Sequence, residues 1–281
     1  MISAELQKKI DRVIKLIRLA GADGEVVQVS YSGGKDSDVI LQLTKEAGIN
    51  YRAIYNNTTI DPPGTIAHAR EMGAEIRQPK RSFYKIVEAN GIPNRRRRFC
   101  CAELKEKKIL DKCIIGVRRD ESTRRAARYK EPTECRWFGA KKPENHVERF
   151  YPLLDWTTKD VVDFINDRGI KIHPLYYRED GTIDGSRRLG CIGCPLSSYH
   201  KRLAQLKEHP AFTRALIRSA CKYIDTHPNA PVVKRGKNGY RYFYENYFFN
   251  NSWEYGKKAQ EEKLFETDYK ALLEDYFKIK L

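Results

Sequence analysis

The chain has 281 residues, enough for one large domain or a domain with an extension. It carries 53 Lys and Arg against 37 Asp and Glu, a formal charge of +16, which favours a polyanionic partner and says little about fold. The apolar fraction of 41% can fill a core, while no run of eighteen apolar residues offers a transmembrane helix.

Met1–Ala20 carries charges every few residues, with Leu6, Ile10, Val13, Ile14 and Ile17 at helical spacing. It reads as an amphipathic helix and not as a signal peptide. The expectation is a cytoplasmic protein with no membrane partner. There, seven cysteines serve as ligands or free thiols rather than disulfides.

Glu25–Val29 is a β-branched run that predicts a buried strand, and Val39–Leu43 predicts a helix ending near Gly48. Between them stands Ser30-Tyr31-Ser32-Gly33-Gly34-Lys35-Asp36-Ser37. Two glycines let the backbone fold into a nest of N–H groups, and the following helix adds positive charge at its N-terminus. Lys35 can place a full charge on the same anion. The turn suits a pyrophosphate or sulfate-like group. It is not a Walker A loop, because Lys35 is followed by Asp36 and position 29 is valine.

Alternation continues downstream. Tyr51–Tyr55 predicts a strand, Thr65–Met72 a helix, Ala74–Arg77 a strand, Ser82–Ala89 a helix, Phe99–Leu110 a helix and Cys113–Val117 a strand. Thr157 or Thr158 can cap a helix running through Val161, Val162, Phe164 and Ile165 to Gly169. From Ser197 the character changes. Helices are expected around 198–208 and 211–225, then a Pro/Asn/Gly-rich loop at 227–239. The aromatic stretch Tyr240–Tyr255 and a charged terminal helix follow. The pattern predicts an α/β fold, a Rossmann-like parallel sheet over residues 1–195, with a mainly helical C-terminal extension over 196–281. Ligands of such sheets bind beyond the carboxyl ends of the strands, where Ser32–Ser37 sits.

Cys100 and Cys101 are adjacent, and Cys191 and Cys194 form a C-x-x-C followed by Pro195, ninety positions after Cys101. Four thiolates fit a [4Fe–4S] cluster, zinc also takes four cysteines, and four unligated thiols are the plain alternative. Cys113, Cys135 and Cys221 read as buried free thiols. The six histidines show no ligand spacing, and His173 before Pro174 reads as structural.

Residues 95–130 hold fourteen Lys/Arg against five Asp/Glu. Arg95–Arg98 lead into Cys100, while Arg118, Arg119, Arg124, Arg125 and Arg128 follow a strand. Arginine forks match phosphate oxygens, most directly at Arg118 and Arg119. Tyr240–Tyr244 and Tyr247–Phe249 mix rings with Lys234, Arg235, Lys237 and Arg241. The rings either stack on unpaired bases or form a half-buried strand or hairpin packed on the main domain, packing being the preferred reading.

Ser32–Ser37 resemble the PP-loop of the ATP pyrophosphatase superfamily, whose members cleave ATP between the α and β phosphates. Further pieces are similar to the phosphoadenylyl-sulfate reductase family: Arg98–Cys101, Gly116–Ser122, Pro152–Trp156, His173–Tyr176 and Gly190–Cys194, in family order over roughly 25–195. The resemblance implies an adenine nucleotide α-hydrolase-like domain. It implies ATP and Mg²⁺ on Ser32, Gly33, Gly34, Lys35, Asp36 and Ser37, with Lys35, Asp36, Arg118 and Arg119 catalytic. It implies a [4Fe–4S] cluster on Cys100, Cys101, Cys191 and Cys194, as in the adenylyl-sulfate reductases.

Two features depart from the reductases. The family's catalytic Glu-Cys-Gly-Leu-His tail has no counterpart in Asp275–Leu281, and the last cysteine is Cys221. The Lys35-Asp36-Ser37 ending, degraded in reductases, is intact. The pattern is similar to the iron–sulfur ATP pyrophosphatases of DNA phosphorothioation. The expected function is adenylyl transfer during sulfur incorporation into a nucleic acid, with DNA and a sulfur donor such as a cysteine desulfurase as partners. A sulfonucleotide reductase is the first alternative. A nucleic-acid-binding regulator with a vestigial nucleotide site is the second.

Overall fold

The computed structural model describes residues 2–106, 110–137, 146–234, 237–249 and 267–281. In chain order the elements are α1 (Ala4–Ala20), β1 (Val27–Tyr31), α2 (Lys35–Ala47), β2 (Tyr51–Asn56), α3 (Thr65–Glu71), β3 (Glu75–Arg77), α4 (Phe83–Asn90), α5 (Phe99–Leu104) and β4 (Lys112–Ile115). Then come α6 (Thr123–Arg128), β5 (Thr133–Trp137), β6 (His146–Phe150), α7 (Thr158–Arg168), α8 (Tyr199–Glu208), α9 (Pro210–Thr226), α10 (Pro231–Lys234), α11 (Gly239–Phe248) and a final helix, Tyr269–Phe277. They fall into two compact units. The first holds Met1–Asn57, Pro62–Gln78 and Glu106–Gly190. The second holds Thr58–Asp61, Pro79–Lys105 and Cys191–Leu281.

The first unit is the α/β body. Its six strands run in the order β3-β2-β1-β4-β6-β5, parallel except for β5, which pairs antiparallel with β6. Val29 sits between Ala53 of β2 and Ile114 of β4, and all three are buried. Parallel strands covered on both faces read as continuous apolar runs, which is why β1 and β4 were legible. The β5–β6 pair was not anticipated. It mixes charged residues such as Glu134, Glu148 and Arg149 with apolar ones and has no continuous apolar run, and β5 closes the edge.

Helix α1 buries Leu6, Ile10, Val13 and Ile17 at i, i+4, i+7 and i+11, each worth about 1.5–3 kcal/mol of burial. Helix α2 buries Val39, Ile40, Leu41 and Leu43 and stops at Gly48, whose φ of 72° satisfies the left-handed C-cap. Helix α7 begins with a capping box, Thr157 accepting from the Asp160 N–H while the Asp160 carboxylate accepts from the Thr157 N–H, and ends at Gly169 with φ 60°.

The second unit is helical. Phe83, Ile86, Leu206, Leu216, Ile217, Phe243 and Phe277 form its core. The aromatic stretch corrects the strand-or-hairpin reading: residues Gly239–Phe248 are helix α11. Phe243 stacks on Tyr247 at 4.5 Å and Tyr244 on Phe248 at 4.6 Å, both four residues apart, and Phe243 and Tyr247 are buried. A period of 3.6 was hidden because nearly every position is aromatic, so alternation carried no information. The packing role holds; Arg235 and residues 250–255 lie outside the described residues. The expected loop at 227–239 contains the one-turn helix α10. Helix α5 ends at Leu104, short of Leu110. No helix among the described residues is long and apolar enough to cross a membrane.

Candidate functional site

The sheet order places a topological switch at β1. The chain steps from β1 to β2 to β3 on one side, then returns to β4 on the other. The carboxyl ends of β1 and β4 flank the crevice where ligands bind in such sheets.

The turn after β1 fills one side of it. Gly33 has φ 74°, and a Cβ there would meet Thr65 Cγ2 at 2.9 Å. A Cβ at Gly34 would come 3.2 Å from the Tyr176 hydroxyl. Gly33 is therefore demanded by the fold of the turn, whereas a side chain at Gly34 would require the Tyr176 hydroxyl to give by a few tenths of an ångström. The Ser37 hydroxyl donates to the Gly34 carbonyl at 2.7 Å and accepts from the Ser32 N–H at 3.2 Å, closing the loop on itself. Lys35, Asp36 and Ser37 form the first turn of α2, whose N-cap, Gly34, offers no side-chain acceptor. The Ser37 N–H donates to the Gly34 carbonyl at 2.8 Å, the Lys35 and Asp36 N–H groups precede the first intrahelical bond, and the helix dipole adds to them.

Lys35 is almost wholly buried. Its ammonium donates to the Arg187 carbonyl at 3.3 Å, lies 3.5 Å from the Asp36 carboxylate and sits over the Tyr176 ring at 5.2 Å. Burial holds its pKa below the ordinary lysine value, against the pull of Asp36. From the β4 side, Arg118 reaches across and its Nε donates to Asp36 Oδ1 at 2.5 Å. Its Nη1 donates to Asp120 at 3.1 Å and to Thr158 at 3.3 Å. A Cβ on Gly116 would approach the Asp36 carbonyl at 3.0 Å, so the β4 turn lies directly on the head of α2.

Of the sequence-predicted residues, Ser32–Ser37 and Arg118 come together here. Arg119 does not join them. Its Nε donates to the Tyr129 carbonyl at 2.9 Å, and its other nitrogens engage Asp155 and the Lys130 carbonyl. Arg188, which no motif singles out, faces Lys35 and Arg125 electrostatically. Arg125 pairs with Glu121, and Arg188 donates to the Glu121 carbonyl.

Behind the loop is a buried polar cluster that histidine spacing could not reveal. The Asp38 carboxylate accepts from the Tyr31 hydroxyl, and its Oδ1 lies 3.0 Å from His68 Nε2. Its Oδ2 has no partner among the described residues. Burial raises the Asp38 pKa above the usual carboxylate range, opposed by His68. His173 stands edge-on to His68, ring centres 6.0 Å apart. Its Nδ1 accepts from the Leu175 N–H and its Nε2 lies 3.2 Å from the Pro63 carbonyl. His173 is thus structural, as expected, yet belongs to a cluster with His68.

The second unit carries the cysteines. Cys100, Cys101, Cys191 and Cys194 line one pocket of about 350 Å³, open solvent included, with Thr58, Lys105 and other residues. None of the seven cysteines is in a disulfide. The C-x-x-C turn is set by Gly193, φ 66°, whose N–H donates to Gln205 Oε1 at 3.3 Å. Cys191 Sγ lies 3.8 Å from both Thr58 Oγ1 and Asp61 Oδ1. Lys105 lies beside Cys191 and Asp61; desolvation lowers its pKa, but those neighbours outweigh it and hold the value above the ordinary one. The hydrogen bond with Cys101, then burial, pushes the Cys100 thiol up; burial does the same at Cys191.

The donor chemistry of this pocket suits iron–sulfur or zinc. The spacing does not: among the described residues no group of three or more His, Cys, Asp or Glu is gathered as metal ligands. Of the remaining cysteines, Cys113 is buried and Cys221 half-buried, whereas Cys135 is exposed on β5, correcting the expectation of burial there. Arg95–Arg98 are exposed in the second unit, with Arg95 donating to the carbonyls of Pro195 and Ser197. Arg118–Arg128 belong to the first unit.

Comparison with known proteins agrees with this geometry. A phosphoadenosine phosphosulfate reductase domain matches residues 26–197, more than half of the chain. An uncharacterised protein of Methanocaldococcus jannaschii is 27% identical over 206 residues, covering 68% of this chain and 47% of its own. An uncharacterised 37.8 kDa protein of Escherichia phage 186 is 33% identical over 132 residues, covering 42% of this chain and 34% of its own. The chain thus spans about half, or less, of the length of these two relatives. Sulfate adenylyltransferase subunit 2 of Mycolicibacterium vanbaalenii is 23% identical over 233 residues, 72% of each chain. The glycine turn heading α2, the switch-point crevice and the matched span agree, and the chain belongs to the phosphoadenosine phosphosulfate reductase domain family of PP-loop, sulfonucleotide-type proteins.

Proposed function

We propose that this chain is an ATP pyrophosphatase that transfers adenylyl groups in the course of sulfur incorporation into a nucleic acid, such as DNA phosphorothioation. The observation that carries the reading is the first turn of α2: an uncapped helix end with Lys35 buried at its head and Arg118 clamped to Asp36. In the proposed reaction an acceptor oxygen attacks the α-phosphorus of ATP. The bond from that phosphorus to the α–β bridging oxygen breaks, and its electron pair leaves with pyrophosphate. Lys35 and the N–H groups of the turn stabilise the departing charge, while Arg118 and Arg188 keep the crevice positive. Asp36 would hold Mg²⁺, which supplies charge neutralisation when bound; it does so only by loosening its pair with Arg118.

The cysteine pocket belongs to the same proposal. Cys100, Cys101, Cys191 and Cys194 share one lining; we place a [4Fe–4S] cluster on these thiols from their donor chemistry alone, since their spacing is not that of a gathered ligand set, and no step above runs through it. A cytoplasmic setting, a DNA partner and a desulfurase-type sulfur donor complete the reading.

The test is product analysis with labelled ATP, with and without DNA. AMP and pyrophosphate are expected. ADP and orthophosphate would show attack at the γ phosphate and overturn the proposal. Lys35→Ala should lower turnover by roughly two orders of magnitude, the size of effect seen for one preorganised donor. A second reading takes sulfate as the acceptor, favoured by the likeness to a sulfate adenylyltransferase subunit. Sulfate-dependent, DNA-independent pyrophosphate release would select it.

A further inference from the structure

We propose that the face formed by α4 and α9 in the second unit binds the phosphate backbone of a nucleic acid. The inference rests on the nucleic-acid part of the function proposed above and gives it a location.

Helices α4 and α9 pack against each other, and two grooves run along their shared surface. Lys80, Arg81, Lys85 and Lys222 line one. Arg214, Arg218 and Lys222 line the other, beside Tyr84. Both include Glu88 and Lys222, so the six cations form one continuous face. The carboxylates that meet them are few. Glu88 is 2.9 Å from Lys85 and 3.2 Å from Lys222, and Glu103 is 2.8 Å from Arg81. Asp225 lies further along α9 and lines neither groove.

Lys80, Arg214 and Arg218 have no acidic partner among the described residues, and Arg214 Nε is a buried donor with no acceptor. A buried guanidinium nitrogen without an acceptor is costly, and the same Arg214 side chain lines the groove. An ordinary solvated face intersperses both signs. This one does not.

The spacing fits a strand. Arg214, Arg218 and Lys222 stand four residues apart on one face of α9. That stripe rises about 6 Å per step and about 12 Å in all. At about 3.4 Å of rise per phosphate on one strand, it faces roughly three phosphates. Arginine forks suit phosphate oxygens. A lipid surface fits less well, since the large apolar side chains exposed among the described residues, Leu19 and Leu196, line neither groove.

The experiment is fluorescence anisotropy of the full chain, without ATP, against a labelled single-stranded oligonucleotide and its duplex over a salt series. The triple variant Arg214→Gln, Arg218→Gln, Lys222→Gln should bind at least about tenfold more weakly, with a log–log salt slope smaller by about 2. The single variant Arg218→Gln, at an exposed position, should lower the slope by about 0.7–0.9 and guards against a fold defect in the triple. Circular dichroism checks the fold of both. No binding by the unaltered chain, unchanged affinity and slope in the variants, loss confined to variants of Arg95–Arg98, or binding to phosphatidylglycerol vesicles but not to oligonucleotides would each overturn the proposal. Because ATP is absent, the result is read separately from whether the protein cleaves ATP.

Discussion

Arg118 Nε donates to Asp36 Oδ1 at 2.5 Å, tying the turn after β4 to the first turn of α2 across 82 positions of sequence. The guanidinium is almost wholly buried, while the carboxylate is 16% exposed on the crevice side. One partner is fixed and the other borders the space where a ligand enters. The pair therefore sets both the shape of the loop and the charge that Lys35 experiences.

Removing Arg118 leaves Asp36 beside a single cation and leaves Asp120 and Thr158 without their shared donor. Arg118→Ala should cost about 3 kcal/mol in denaturant unfolding, the range for breaking a buried pair. Asp36→Asn should cost less, because the amide oxygen still accepts from Arg118. A double-mutant cycle between the two should return a coupling of about 1–3 kcal/mol. Additive effects would mean that the contact contributes nothing of its own.

Asp38 is a test of the buried cluster. Asp38→Asn keeps an acceptor for Tyr31 and His68 and puts a donor where Oδ2 stands without a partner. It should be tolerated. Asp38→Ala strands both partners in the core and should destabilise by about 1–3 kcal/mol or more. Equal stability of the two variants would show that the hydrogen bonds do not matter there.

His173 gives a pH dependence with a definite sign. Burial lowers its pKa below the ordinary 6.5, so the native state binds fewer protons than the unfolded chain below that pH. Its contribution to stability is present above about pH 6.5 and is lost as pH falls through the window between 6.5 and the lowered value. His68 and Asp38 face it, with opposite effects. His173→Asn keeps an acceptor for the Leu175 N–H and removes the titration. Unfolding free energies at pH 5 and pH 7.5 should differ less in the variant than in the parent chain, at roughly the scale of 1.4 kcal/mol per pKa unit. An identical pH profile would exclude His173 as the source.

Metal analysis bears on the second unit. Anaerobically prepared protein should hold about four irons with labile sulfide, the content of one [4Fe–4S] centre. Replacing Cys191 should abolish this, and replacing Cys113 or Cys221 should not. Stoichiometric zinc, or no metal at all, would set the cluster aside. The thiols lining the pocket with Lys105 would then stand without a metal.

Much was legible in the chain because local physics decides it. Gly33 and Gly34 between a buried strand and a helix announced an anion-binding turn, and φ 74° at Gly33 is what that turn requires. The apolar runs of β1 and β4 announced a covered parallel sheet. Thr157, Gly48 and Gly169 marked helix ends by capping chemistry that acts within a few residues.

Other features depended on contacts between distant residues. The edge pair β5–β6 takes its identity from pairing and not from composition. Helix α11 hid among rings until its partners showed which face is buried. Adjacent arginines look alike in sequence, yet Arg118 turns to Asp36 and Arg119 to Asp155, because neighbouring side chains leave the backbone in different directions. Asp38, His68 and His173 share no spacing, and Arg214 and Lys85 share no motif. Such groups exist only once the helices and strands that carry them have packed, since burial and proximity are properties of the fold. Sequence determined the kinds of element and the chemistry of the loop; tertiary structure decided which charges face that loop and which face outward.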